Sequence, residues 1–345
     1  MKAMVFHAHG GEEVLALAQV PTPEPGHGEV RVRVRAVALN HLDLWVRRGW
    51  PGLALPMPHI LGSDVVGEVD ALGPGTRVPA SCAVGARVIL QPGVSCGACV
   101  DCLAGRDNYC AAYGILGETR AGGYAEYVVV PARNLLPCPP RLTDAEAACL
   151  PLTFETAWQM VVTRARVVPG EWVLVHAAGS GVGIAALQIA KLHGATVIAT
   201  ASTDAKLAHA KALGADHVVN YADTDFAKAV KTLTAGRGVD VVVEHVGGAV
   251  FDRSLRVLAR GGRLVTCGAT SGPEVKLDLR HVFIKKLSIL GSTMGGAGEL
   301  AAMLPFFDDG RLRPLLDSTY PLEAAADAHR RLADRAQCGK VVLLP

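Results

Sequence analysis

The sequence predicts an α/β protein of about two domains, one β-rich and one a parallel sheet covered by helices on both faces. Its 345 residues are 50% hydrophobic and only 19% charged, enough to bury an ample core. Up to about residue 150 the chain is dense in Gly and Pro and carries short β-like runs. From about Phe154 apolar strands alternate with Ala/Lys/Leu-rich helical segments, the pattern that builds a doubly wound sheet.

In the first portion the runs Glu29 to Val37, Val84 to Leu90 and Tyr124 to Val130 read as strands, and the portion as a whole reads as all-β and loop-rich. In the second, strands are expected at Trp172 to His176, Thr196 to Thr200, near Val218, Val239 to Glu244 and Arg263 to Cys267. Helices run between them to His193 and to Leu213, with Gly194 and Gly214 suited to the left-handed position after a helix. Leu287 to Leu290 closes the sheet. Beyond Gly295 come helices and a last strand, Lys340 to Leu344, and this tail is expected to return to the first domain.

Four cysteines, Cys96, Cys99, Cys102 and Cys110 in CGACVDCLAGRDNYC, are spaced so that four thiolates converge on one tetrahedral zinc. All four coordination positions are then filled, which makes the site structural. Two disulfides would require an oxidising compartment, and no apolar leader with a small-residue cleavage site opens the sequence, so a cytoplasmic protein is expected. Cys82, Cys138, Cys149 and Cys338 have no ligand spacing and read as small buried hydrophobes. A net charge of +2 without a basic run gives no reason to invoke nucleic acid. No run of 18 uncharged apolar residues suggests a membrane span. A small-molecule substrate is the default.

The string VLVHAAGSGVG, Val173 to Gly183, lies between a strand and a helix, where a dinucleotide pyrophosphate meets backbone N–H groups and the positive helix end. Only Gly183 is in register with G-x-G-x-x-G. Ala178 and Ser180 take the first two positions, with Gly179, Gly181 and Val182 beside them, so the bare pattern is weak and its placement at the first strand-to-helix turn carries the reading. About twenty residues on, at VIATASTDAK, the strand ends on Ala201 instead of an acid, followed by Ser202, Thr203 and Lys206. Hydroxyls and a lysine suit a 2′-phosphate, so NADPH is favoured over NADH. Asp204 competes but reads as a first-turn helix residue, and Ser202 has an alternative role as an N-cap.

The strings GEVRVRVRAVALNHLD, LGSDVVGEV, GGYAEYVVVP, LPLTFETAW, AAGSGVG, GVDVVVEHVGG and GKVV, with the cysteine loop, give the whole chain a resemblance to the medium-chain dehydrogenase/reductases. The resemblance implies a GroES-like distorted β-barrel domain, 1–152 with 293–345, a Rossmann domain, 153–292, an active site in the cleft between them, and a homodimer or homotetramer. It also implies positions. Where zinc alcohol dehydrogenases carry a Cys ligand this chain has Asn40, where they carry the His and Glu of GHE it has Ser63 and Asp64, and where they carry the second Cys it has Leu152. Leu42 stands at the usual proton-relaying hydroxyl. These departures match the quinone oxidoreductase branch, although many of its members lack the cysteine lobe.

The expected reaction is therefore hydride transfer from NADPH to a quinone or a conjugated C=C bond, with one structural zinc per protomer and no metal in the chemistry. Asn40 is the first candidate to touch the nicotinamide ribose or the acceptor oxygen, with a backbone-satisfied turn residue as the alternative. Asp43 is expected to orient the cleft floor, Ser63 and Asp64 to bond substrate or water, and His41 to meet the pyrophosphate. Trp45 and Trp50 are read either as an aromatic wall or as core, His59 as a candidate proton donor, and Leu152 as pocket lining. Thr156 near the nicotinamide, and His245, Val246, Cys267 and Gly268 at strand ends, complete the cofactor set. Two other readings stay open: an alcohol dehydrogenase holding a second zinc on His41, Asp43, His59 or Asp64, and a non-catalytic cofactor-binding protein. An enoyl-thioester reductase is a variant of the first.

Overall fold

The computed structural model describes every residue except Ala249 and divides into two compact units. The first comprises Met1–Leu152, Gly296–Gly310 and Pro314–Pro345; the second comprises Thr153–Gly295 and Arg311–Arg313.

The first unit is organised by the strand Glu29–Ala38, whose alternation is visible in the sequence: Val30, Val32 and Val34 point into the core while Arg31, Arg33 and Arg35 point out. The outward arginines are matched across the sheet, Arg31 and Arg33 to Asp70 and Arg35 to Glu68. This strand pairs antiparallel with Asp64–Leu72 and with Tyr127–Pro131. The late strand Lys340–Leu344 also joins it, Val342 opposite Ala38 and Leu343 opposite Val37, and is itself parallel to Leu316–Pro321. A small second sheet is made by Lys2–Phe6 between Ala16–Gln19 and His59–Ile60. Both ends of the described chain thus build one apolar core, in which Leu343 and Leu332 pack with Phe6, Val32 and Leu61.

This portion is not all-β. The segment His41–Arg48 is an α-helix that buries Leu44 and Val46, ends at Gly49 (φ 76°) and carries Arg47 and Arg48 in its last turn, where they complement the helix dipole. Eight residues are too few for an apolar period to stand out from a strand pattern.

The second unit holds a six-stranded parallel sheet in the order His217–Asn220, Thr196–Ala201, Trp172–Val175, Val239–Glu244, Leu258–Thr266, Ser288–Gly291. The first strand sits centrally and the order reverses beside it, the arrangement of a Rossmann sheet. Helices Gly181–Leu192 and Asp204–Ala212 end before Gly194 and Gly214, both left-handed at φ 75° and 104°. The fifth strand starts at Leu258, earlier than its apolar run suggests, and its register breaks between Val239 and Val241. Thr203 is the N-cap of the second helix, accepting from the Lys206 amide, so the capping role read for Ser202 falls one residue later.

Gly62 combines a left-handed backbone with a closely packed ring. It sits at φ 100° and a Cβ there would lie 2.4 Å from Tyr124 Cδ1. Gly62→Ala is expected to cost at least about 2 kcal/mol in urea unfolding, from backbone strain and displacement of a buried ring; a loss within about 0.5 kcal/mol of zero would show that the ring yields freely.

Candidate active site and zinc lobe

Asn40 closes the strand Glu29–Ala38 and is the N-cap of the His41–Arg48 helix, which places its side chain at a strand end inside the first unit. Its backbone N–H donates to Asp43 Oδ2 at 2.6 Å, and its side-chain Nδ2 donates to Asp64 Oδ2 at 2.9 Å. Lys340, at the head of the late strand, donates from Nζ to Asn40 Oδ1 at 2.5 Å and to Asp64 Oδ2 at 2.8 Å. Asp64 Oδ1 accepts from the backbone N–H of Leu152 at 2.6 Å. Asn40, Asp64 and Lys340 are 7%, 0% and 5% exposed, so this is a buried ion pair with an amide locked onto it. Ser63 is turned away, donating to Leu116 O at 2.7 Å.

Asp43 sits underneath, accepting from Gly62 N at 3.0 Å as well as from Asn40 N. Burial pushes its carboxyl up to about 7 despite those donors and the Lys340 charge. A second buried chain leads away from it. Arg47 Nη1 lies 3.0 Å from His329 Nδ1, and a guanidinium only donates, so Nδ1 accepts and Nε2 carries the hydrogen. Nε2–H then donates to Tyr124 Oη at 3.1 Å, and burial, followed by the nearby Asp43 charge, holds the Tyr124 phenol well above its ordinary range. Burial, then Arg47 and Arg48, hold His329 down at about 3, so it stays neutral.

His41 is half-buried, and burial together with Arg335, Lys340 and Arg48 lowers it to about 4. His59 is 3% exposed, packs edge-on against Phe6 and bonds Gly117 O at 3.3 Å; the described contacts do not bring it to Asn40 or Asp64. Trp45 and Trp50 are 37% and 41% exposed and belong to no core.

In the second unit, Ser180 is the N-cap of the Gly181–Leu192 helix: its Oγ accepts from Gly183 N at 3.0 Å and lies 3.0 Å from His245 Nε2. Gly183 has no room for a side chain, since a Cβ would fall 2.3 Å from Ala177 O. A Cβ on Gly179 would strike Lys206, 2.8 Å from Cδ, so the lysine stem lies along the turn. Sequence spacing thus brought together Gly179, Ser180, Gly183, Lys206 and His245. Gly181 and Val182 open the helix, Ser202 stays half-buried before Thr203, and Thr156 is buried in the helix Pro151–Trp158. The Val246 N–H is tied to Glu244 Oε1 at 2.6 Å and its carbonyl accepts from Ser271. Gly268 O accepts from Thr266 Oγ1 at 3.3 Å. Burial raises the Cys267 thiol to about 12, the opposite of a nucleophile's shift.

The four sulfurs of Cys96, Cys99, Cys102 and Cys110 lie within 4.8 Å of one another, with Cys99 and Cys102 at 3.5 Å and Cys96 and Cys102 at 3.8 Å. Zn–S bonds of about 2.3 Å in a tetrahedron put sulfurs about 3.8 Å apart, so the lobe fits zinc closely. Backbone N–H groups of Ala98 and Cys99 donate to Cys96 Sγ and lower its thiol to about 6. Among the described residues this is the one group of three or more His, Cys, Asp or Glu placed to hold a metal. At Asn40 and Asp64 the fit fails, because one amide and one carboxylate already bind an ammonium and Leu152 offers only a backbone N–H.

The model of the alcohol dehydrogenase GroES-like domain matches residues 26–140, and that of the zinc-binding dehydrogenase domain matches residues 181–309. The chain belongs to the medium-chain dehydrogenase/reductase family. Within it, a crystal structure of an NAD-dependent alcohol dehydrogenase is 54% identical over the full length of both chains with a TM-score of 0.96. The quinone oxidoreductase of Sus scrofa is 31% identical across 100% of this chain and 98% of its own. A 2-haloacrylate reductase from Burkholderia sp is 30% identical across 99% and 98%. These relatives are oxidoreductases, and the GroES-like and Rossmann architectures are those of the family. Sequence reasoning missed Lys340, Tyr124, His329 and Arg47; a lone charge opening the apolar run KVVLL was the available signal for the first.

Two outcomes are expected. Elemental analysis should find about one zinc per protomer, lost on Cys96→Ser or Cys110→Ser together with a fall in Tm; two zincs, or retention in both variants, would contradict the lobe assignment. For Asp43, the folded pKa lies above the unfolded value of 3.8, so its contribution is complete below pH 3.8 and is lost as pH rises through about 7. Wild type should lose up to about 4 kcal/mol relative to Asp43→Asn across that window; parallel stability curves for the two proteins would refute the assignment.

Proposed function

We propose that the protein is an NADPH-dependent reductase that delivers hydride to an electron-poor conjugated acceptor, a quinone or an activated C=C bond, with no metal in that reaction. The observation carrying this reading is the Asn40–Asp64–Lys340 cluster, where two of the positions that would supply a catalytic zinc's donors carry an amide and a carboxylate, both already bonded to a lysine ammonium. The 2-haloacrylate reductase and the quinone oxidoreductases, named for such acceptors, support it.

Bound NADPH supplies the hydride; the electron pair displaced onto the acceptor's oxygen is then protonated by water. Asn40 offers its second Nδ2–H to that oxygen, since its other amide groups are taken. Ser180 and the N-terminus of its helix hold the pyrophosphate, and Lys206, laid along Gly179, meets the 2′-phosphate. The neutral His41, with Arg48, Arg335 and Lys340 near it, suits a phosphate oxygen.

A second reading is alcohol–ketone interconversion with NAD, favoured by the alcohol dehydrogenase structure at 54% identity. The protein is further proposed to be a homodimer or homotetramer, supported by the edge strand Ser288–Gly291 and by Leu279, Phe283 and Ile284, all more than half exposed. Nine cysteines without a disulfide among them, four of them gathered in the zinc lobe, support a reducing, cytoplasmic setting, and no helix among the described residues is long and apolar enough to cross a membrane.

Oxidation of NADPH and of NADH should be followed with quinones, enones and crotonyl thioesters, and the reverse reaction with simple alcohols. The expected result is quinone or enone turnover with NADPH preferred at least about 10-fold, and loss of that preference in Lys206→Glu. Alcohol-dependent reduction of NAD that outpaces every conjugated acceptor would replace this reading with the second.

A further inference from the structure

The amide of Asn40 has one possible orientation. Lys340 can only donate and the Asp64 carboxylate can only accept, so Oδ1 must face the ammonium and Nδ2 the carboxylate. Asp64 is held in turn by the Leu152 N–H on its other oxygen and by Lys340 on the same oxygen that Asn40 uses. Ammonium, carboxylate and amide form a closed triangle, and the strand pairing of Lys340–Leu344 with Glu29–Ala38 fixes the lysine backbone relative to Asn40. One Nδ2 hydrogen is left over, aimed by two charges.

We propose that Lys340 is a positioning residue for the reduction: it sets the Asn40 amide with N–H, not C=O, toward the acceptor's oxygen, and cancels the Asp64 charge that would oppose negative charge developing there. This rests on the reading of Asn40 as the donor to the acceptor. The device serves an oxygen that becomes anionic. A flipped amide would present a carbonyl and repel the same oxygen, so the ion pair acts through orientation while itself touching neither reactant.

The test is Lys340→Met combined with Asp64→Asn, which removes both charges and leaves no uncompensated ion in the core. The Asn40 side-chain amide, identified in an ¹H–¹⁵N spectrum by its loss in Asn40→Ala, should show one displaced, slowly exchanging proton in wild type and two ordinary ones in the double variant. The kcat should fall roughly 10- to 100-fold with NADPH affinity within about twofold of wild type. Adding Asn40→Ala to the double variant should cost almost nothing more, because the three residues act as a unit. Lys340→Arg, which keeps the cation and its donors, should restore the displaced resonance. An unchanged amide resonance, or unchanged kcat with weakened NADPH binding, would overturn the proposal and leave Lys340 a phosphate contact. If wild type turns over no conjugated acceptor, the functional reading fails, while the amide spectrum still decides the orientation.

Discussion

A lysine ammonium placed out of water must be paired, and the pairing of Lys340 with Asp64 is the constraint around which the first unit is arranged. The partners are 276 positions apart, so the bond ties the late strand to the early barrel. Breaking one side of such a pair costs about 3–5 kcal/mol, comparable to a large share of a domain's net stability. Apolar burial of Val341, Val342 and Leu343 brings the strand into place, but it is indifferent to small shifts along the strand axis. The ion pair is not, because a one-residue slip would turn Lys340 to the other face.

The polar chain beneath it behaves differently. From Tyr124 through His329 to Arg47, each donor has a defined direction, and Arg47 ends near Glu12 at 3.8 Å. It resembles a path for protons, yet it ends on a guanidinium, which does not release its proton at any pH a protein survives. The chain therefore orients and satisfies buried groups, and Arg47, 1% exposed, is kept charged at a cost the network offsets.

What was legible in the sequence was what is local. The cysteine lobe spans fifteen residues, so spacing alone defines it, and the glycine-rich turn before Gly181–Leu192 is a single strand-to-helix junction whose Gly183 is forced by the nearby Ala177 carbonyl. The strands Trp172–Val175, Thr196–Ala201 and Val239–Glu244 were readable because each is a largely apolar run that is almost wholly buried, whereas the edge strands His217–Asn220 and Ser288–Gly291 are short and partly exposed. Asn40 was found through its neighbours in the chain, but its partner lies 300 residues away, and no periodicity connects them. Helix His41–Arg48 was too short to show a period, and Ser202 and Thr203 are both good caps, so the choice between them depended on where the strand ends.

The threading of the first unit also sets an order of events during synthesis. Residues 153–295 form one nearly uninterrupted stretch of the second unit, closed by short βα links, and this stretch emerges before the strand that carries Lys340. Until that strand arrives, the barrel holds an acidic group with no counter-ion and an open edge beside Ala38. A nascent chain thus carries a finished parallel-sheet unit and an unfinished, sticky one, and a chaperone that shields the early strands has the most to protect in that interval.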